Sequence, residues 1–289
     1  MNKEEILKRK GIIVALDQSS GSSEKALIVY GIDKSRYKNK KEMSDLIHKM
    51  RKRIITNKYF TKDKIIGVIS FDEELDRKIE GEYTSEYLLN KNIISFVKID
   101  NGLEKVNDGV ALMKEIPNIE ELLLKAKKHD VYGTKMRSVI YENNKKGIRK
   151  LVKQQFELAK KIYEFGLVPI VEPEVNIYSK EKKECEKTLK EEIDRQLIKN
   201  DIKIILKLSI PEIDNLYEEY TNNKNILKVV ALSGGYDRRT ACDKLSKNKK
   251  MIASFSKAFL QDLRETDSEE IFSEKIKNTI DEIYNAGEK

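Results

Sequence analysis

The chain has no tryptophan, and only two cysteines, two histidines and four prolines in 289 residues. Cys185 and Cys242 stand far apart and fit neither a disulfide framework nor a metal-ligand spacing. His48 and His129 each lack a second histidine or cysteine at ligand spacing, which argues against a zinc site, so no metal and no cofactor is expected. No apolar run approaches the roughly 20 residues of a membrane span, and Met1–Lys10 is charged throughout, unlike a secretory signal. The chain therefore reads as a soluble, cytoplasmic protein of a reducing compartment with no membrane partner. No proline- or glycine-rich break interrupts it, so a single domain is expected over residues 1–289. The sequence is compatible with a homo-oligomer and does not specify one.

Charge is abundant: 37% of residues are ionisable and the net charge is +8. Basic and acidic residues alternate along Glu181–Lys199 and Glu269–Glu282, which reads as solvated helix faces. A basic, non-enzymatic RNA binder is one reading of the +8 charge. The absence of tryptophan, of an RNA-binding motif and of a segregated basic stripe stands against it, so no nucleic-acid partner is expected. A salt-dependent RNA shift at physiological ionic strength would favour it. The same basic field attracts small anionic substrates such as sugar phosphates.

Hydrophobic residues make up 39% of the chain, ample for a core of this length. Eight β-rich runs recur: Gly11–Gln18, Lys64–Phe71, Ile94–Asp100, Val131–Arg137, Val168–Val175, Ile202–Ile210, Lys228–Gly234 and Met251–Ala258. Helical patterns separate most of them. One is Gly147–Phe165, with Ile148, Leu151, Val152, Phe156, Leu158, Ala159 and Ile162 at helical intervals. Strand alternating with helix implies parallel pairing, and eight such units fit an α/β fold of the (β/α)8 TIM-barrel type, with parallel strands inside and helices outside.

Within Ile204–Pro211, Lys207 is the one charge in an apolar run. Burial lowers a lysine pKa, and a neutral amine is the nucleophile of Schiff-base chemistry. The other reading is a stem that packs while its head snorkels to water. What favours the first is that other run ends also carry polar groups: Asp17, Lys98 and Asp100, Lys135 and Arg137, Glu172 and Glu174, Ser209, Ser233-Gly234-Gly235, Ser256 and Lys257. In a parallel barrel these ends share one mouth. Period two places Lys135 with Arg137, Glu172 with Glu174, and Lys207 with Ser209 on common faces. A buried salt-bridge layer that only fixes packing is the alternative for the whole set. A glutamate beside cations can move protons, Lys135 close by would keep Lys207 deprotonated, and a Ser-Gly-Gly turn after the seventh run fits a phosphate.

The stretches Ala15-Leu16-Asp17-Gln18-Ser19, Phe96-Val97-Lys98-Ile99-Asp100, Gly133-Thr134-Lys135-Met136-Arg137, Ile170-Val171-Glu172-Pro173-Glu174-Val175, Leu206-Lys207-Leu208 and Leu232-Ser233-Gly234-Gly235 follow in order over nearly the whole chain. In this the chain resembles the class I fructose-bisphosphate aldolases, in their short bacterial form. The resemblance implies reversible cleavage of D-fructose 1,6-bisphosphate to dihydroxyacetone phosphate and D-glyceraldehyde 3-phosphate, in glycolysis and gluconeogenesis, without a metal. It makes Lys207 the imine-forming lysine and Glu172 the main proton acceptor and donor, with Glu174 in support. Asp17 would orient the hydroxyl at the bond that breaks, and Lys135 would contact the substrate near it. Arg137 would meet the far phosphate or its surroundings, Lys98, Ser19 and Ser22 the aldehyde-end phosphate, and Ser233, Gly234, Gly235 and Lys257 the ketone-end phosphate. Three positions depart from the family pattern: Lys257 stands for an arginine, Ser20 for a glycine and Asn101 for a lysine. No terminal-tyrosine arm like that of the animal enzymes is expected. Another Schiff-base lyase on the same barrel, transaldolase-like or acting on a different sugar phosphate, is the nearest rival.

Overall fold

The β-branched runs form strands β1 (Ile12–Ala15), β2 (Ile65–Phe71), β3 (Ile94–Lys98), β4 (Gly133–Ile140), β5 (Val168–Val175), β6 (Ile204–Ser209), β7 (Ile226–Leu232) and β8 (Ile252–Ala253). The computed structural model describes residues 2–18 and 21–287. Among these, each of the eight strands pairs in parallel with the next in chain order. β8 meets β1 without a ladder, and the Ala15 N–H donates to the Phe255 carbonyl at 3.3 Å. The result is a nearly closed TIM barrel.

Helices α1 (Lys3–Lys8), α2 (Gly21–Tyr30), α3 (Lys40–Ile55), α4 (Thr84–Asn90), α5 (Ile119–Lys128), α6 (Lys145–Glu164), α7 (Lys182–Lys199), α8 (Arg238–Leu245), α9 (Lys257–Leu260) and α10 (Glu269–Ala286) complete the fold. Among the described residues, no helix is long and apolar enough to cross a membrane. The helix expected at 147–165 is α6. Its cap is Asn144, whose side chain accepts the Gly147 N–H at 3.0 Å, and its buried stripe runs from Ile148 to Ile162. Leu158 lies beside that stripe and is only half-buried.

Two apolar clusters separate the inside of the barrel from the layer beneath the helices. The inner one holds Ile13, Ala15, Ile66, Ile94, Phe96, Ile170, Ile205, Val230 and Ile252, joined by Ile6 and Leu7 of α1. Gly133 makes room for it: a Cβ there would sit 2.0 Å from the Val168 carbonyl oxygen and 3.0 Å from the Phe96 ring. Gly133→Ala is therefore expected to cost about 1–3 kcal/mol, read as a lowered Tm in calorimetry. An unchanged Tm would contradict this packing.

Pro169 and Pro173 both lie in β5, a central strand that would normally exclude them. Val168 and Asn176 donate their N–H groups to Tyr132 and Ile140 on the β4 side, so residues of the opposite parity face β6. Both prolines have that parity, and their missing donors fall on the β6 side. There the ladder is short, pairing Ile170 with Ile205 and Val171 with Leu206. Beyond it the Ser209 hydroxyl accepts the Val175 N–H at 2.9 Å and donates to the Val175 carbonyl at 2.8 Å. Ser209 thus ties β6 to β5, where the sequence had grouped it with Lys207 at the mouth.

Three further expectations need correcting. The eighth run pairs only over Ile252–Ala253, and Lys257 opens α9 instead of ending a strand. β4 continues past Arg137 to Ile140 because Val110–Ala111 pairs antiparallel with its end. The alternating charges of α7 are not all solvated, since Lys182, Glu186 and Glu192 are buried.

Candidate active site

Following alternate residues up each strand, the inward face changes from apolar to ionic. On β1 the series is Ile13, Ala15, then Asp17 just past the strand. On β3 it is Ile94, Phe96, Lys98, on β5 Ile170, Glu172, Glu174, and on β6 Ile205, Lys207. Gly133, Lys135 and Arg137 do the same on β4. The lower layers fill the barrel and the upper ones open into a cavity of about 670 Å³. Asp17, Ser22, Lys98, Lys135, Arg137, Glu172, Glu174 and Lys207 line it. So do Ser233, Gly234, Gly235 and Lys257. Ser19, and Ser20 beside it, lie outside the described residues.

The centre is a chain of ion pairs. Lys207 Nζ lies 3.5 Å from Glu172 Oε1, and Lys135 Nζ lies 2.9 Å from Glu172 Oε2 and 2.5 Å from Asp17 Oδ2. Arg137 Nε meets Glu174 Oε2 at 2.5 Å. Lys207 is 3% exposed, and burial pushes its pKa below the ordinary lysine value. The nearby Lys135 pushes the same way, while Glu172 opposes. Burial also works against the Lys135 ammonium, but Asp17 and Glu172 outweigh it and hold that amine protonated. Burial disfavours the Glu172 carboxylate too, yet Lys135 and Lys207 bring its pKa below the usual range. Asp17 is likewise shifted down, mainly by Lys135 against the cost of burial. The cluster thus presents one lysine inclined to be neutral, one fixed as a cation, and two carboxylates. This arrangement can deliver an amine to a carbonyl and take up the proton that the attack releases.

Lys98 and Lys257 add further cations to the lining of the cavity. Lys98 pairs with Asp100 Oδ1 at 3.0 Å, and Asp100 in turn accepts the Gly102 N–H at 3.2 Å. Around the rim, Ser233-Gly234-Gly235 turns the chain out of β7, with φ of +59° and +115° at the two glycines. A Cβ at Gly234 would come within 2.6 Å of Ile177 Cγ2, so conformation and space both require glycine.

Other residues of the cavity gave less sign in the sequence. Gln18 reaches Ser256 Oγ at 2.8 Å through its Nε2, joining the ends of the first and last barrel units. Asp100 ended a run but was given no role. Phe71 at the end of β2 and Leu103 in the connection after β3 also line the cavity. Being apolar, they carried no charge pattern to find them by.

A model of the class I fructose-bisphosphate aldolase family matches residues 2–206, a stretch that ends one residue before Lys207. Among solved structures, the fold is similar to fructose-bisphosphate aldolase from Plasmodium falciparum, solved in complex with TRAP and a small-molecule inhibitor. That likeness has a TM-score of 0.68 and 18% identity, covering 98% of this chain and 92% of that one. An archaeal fructose 1,6-bisphosphate aldolase is similar at a TM-score of 0.58 and 12% identity, covering 98% of this chain and 100% of that one. An archaeal aldolase whose catalytic lysine is covalently bound to the carbinolamine intermediate of its substrate gives 0.54 and 12%, with the same coverage. At such identities these structures speak for the barrel alone. The family match extends over most of the chain, which belongs to the class I fructose-bisphosphate aldolases.

Proposed function

We propose that the chain, folded as one domain, is a Schiff-base aldolase that reversibly cleaves D-fructose 1,6-bisphosphate to dihydroxyacetone phosphate and D-glyceraldehyde 3-phosphate. Its proposed setting is cytoplasmic glycolysis and gluconeogenesis. The observation that carries this reading is the buried Lys207 amine, with its lowered pKa, 3.5 Å from Glu172.

The neutral Nζ attacks the C2 carbonyl, and the Glu172 carboxylate takes the proton that the new C–N bond expels. Glu172 passes that proton to the C2 oxygen, giving the carbinolamine, and then relays a second proton taken up from solvent to the hydroxyl, which leaves as water as the protonated imine forms. Asp17, ionised beside Lys135, accepts the C4 hydroxyl proton as the C3–C4 bond breaks. The bonding electrons pass to the imine, giving an enamine and the free aldehyde. Protonation of the enamine at C3 and hydrolysis of the imine release dihydroxyacetone phosphate and restore Lys207. The imine is the electron sink, so the scheme calls for no metal. Glu174, held by Arg137, supports Glu172 and Lys207 from the next position up the strand.

A phosphate at each end of the substrate is supported by the spread of cations. The Ser233–Gly235 turn and Lys257 would take the ketone end. Lys98 and Ser22 would take the aldehyde end, with Arg137 nearby, and Ser19 is assigned there by the resemblance alone. Lysine at position 257 keeps the charge of the family arginine without its bidentate fork. The test is a comparison of kcat/KM for fructose 1,6-bisphosphate with that for ketose monophosphates. The proposal expects the bisphosphate to lead by at least about tenfold, as loss of a charge-assisted contact would give. Equal or better cleavage of a monophosphate would assign the site to another sugar-phosphate lyase.

A further inference from the structure

The search for groups outside the reaction scheme leads to α7, whose first residue, Lys182, is buried. A cation there is doubly unfavourable, being out of water and at the positive end of the helix dipole. Its contacts explain why it is kept. The Lys182 ammonium pairs with Glu186 one turn along, donates to the Ile210 carbonyl at 2.7 Å and lies 3.4 Å from Glu212. The other Glu186 oxygen accepts the Glu212 N–H at 2.9 Å. The pair thus grips both ends of Ile210-Pro211-Glu212, the peptide that leaves β6 just beyond Lys207. Lys244 of α8 approaches the same Glu212 oxygen at 3.5 Å. The buried phenol of Tyr217 lies in the field of Glu186.

The need for such a grip comes from β5. With the register of Val171 and Leu206 carried two residues on, Pro173 stands opposite Leu208, without an N–H to donate to β6. The pairing of the two strands ends at Val171 and Leu206, one residue before Glu172 and Lys207. β7 continues to hold the other edge of β6, pairing Val230 with Lys207 and Leu232 with Ser209. On the β5 side, past Val171 and Leu206, the Ser209 hydroxyl holds Val175 and Lys182 holds Ile210.

We propose that Lys182, with Glu186, is a positioning residue for Lys207, replacing through its hold on Ile210 the ladder that Pro173 interrupts beside the reacting amine. This rests on the reading of Lys207 as the imine-forming lysine. Lys182→Met alone leaves Glu186 buried and unpaired, a strongly destabilising state. The informative protein is therefore the full chain with Lys182→Met and Glu186→Leu together, which removes both charges and the grip on Ile210.

Folding is checked by Tm and circular dichroism. Turnover and borohydride trapping with dihydroxyacetone phosphate are then measured against pH. Misplacement of the amine predicts a fall in kcat of about 10- to 100-fold. Wetting of the Lys207 site predicts that the pH midpoint of trapping moves up toward the ordinary lysine value. A variant with a lowered Tm but unchanged kcat and trapping midpoint would make the pair a packing feature and overturn the proposal alone. A wild-type protein that forms no adduct at Lys207 would overturn the imine reading and this one with it.

Discussion

Lys207→Ala is expected to reduce cleavage by on the order of 10⁴-fold or more, the scale of losing a covalent nucleophile, and to abolish trapping of the ketone product. The effect is chemical because no other described lysine stands in Lys207's electrostatic position. Lys135, the nearest alternative amine, is held as an ammonium by Asp17 and Glu172 and cannot attack a carbonyl. The fold is expected to survive. Lys207 borders an open cavity, and its removal leaves Glu172 paired with Lys135 at 2.9 Å. The missing stem exposes little apolar surface that water cannot reach. Steady-state assays together with Tm check both halves of this expectation. A variant that turns over normally would end the covalent scheme, whereas an unfolded one would mean that the lysine is a packing element.

Glu172→Gln separates the proton shuttle from the nucleophile. It keeps the shape of the side chain and removes its base, so turnover is expected to fall by about 10²–10⁴-fold. The pH dependence should move as well, in a direction fixed by the charges. Glu172 favours the ammonium of Lys207, while burial and Lys135 disfavour it. Without the carboxylate the Lys207 pKa falls further, so the acid limb of imine formation should shift to lower pH even as the rate drops. Lys135 retains Asp17 at 2.5 Å, so the cluster is not left with an unpaired lysine there. The rate and the limb are read from a pH series of single-turnover trapping. A limb that stays in place or rises would mean that Glu172 does not face the amine in solution.

Much of this centre was visible in the residues because a barrel strand converts sequence period into position. Lys207, Glu172 and Lys135 sit on separate runs, yet alternation puts each on the inward face and parallel order puts the ends at one mouth. Ser209 shows the limit of that reasoning. It shares the parity of Lys207 but turns to Val175, because Pro173 leaves the β5 edge short of ladder bonds. The eighth strand was overextended since the apolar Met251, Ile252, Ala253 and Phe255 read as one run, and periodicity does not distinguish a buried strand from the start of a buried helix. On α7, alternating signs resembled a solvated face. Burial of Lys182 and Glu186 follows from the peptide after β6 docking against them, a tertiary event without a local signature. Phe71 is an apolar strand end and Leu103 lies in the connection after β3, so no pattern of charge marks either of them.

The central claim is that Lys207 becomes covalently joined to the ketone. Incubation of the wild-type protein with dihydroxyacetone phosphate, reduction with borohydride and mass mapping of the peptides test it most directly. The account predicts one reduced adduct, on the peptide that carries Lys207, formed at a pH below the ordinary lysine pKa. An adduct on Lys135 or another lysine, or none while the ketone phosphate is bound, would contradict it.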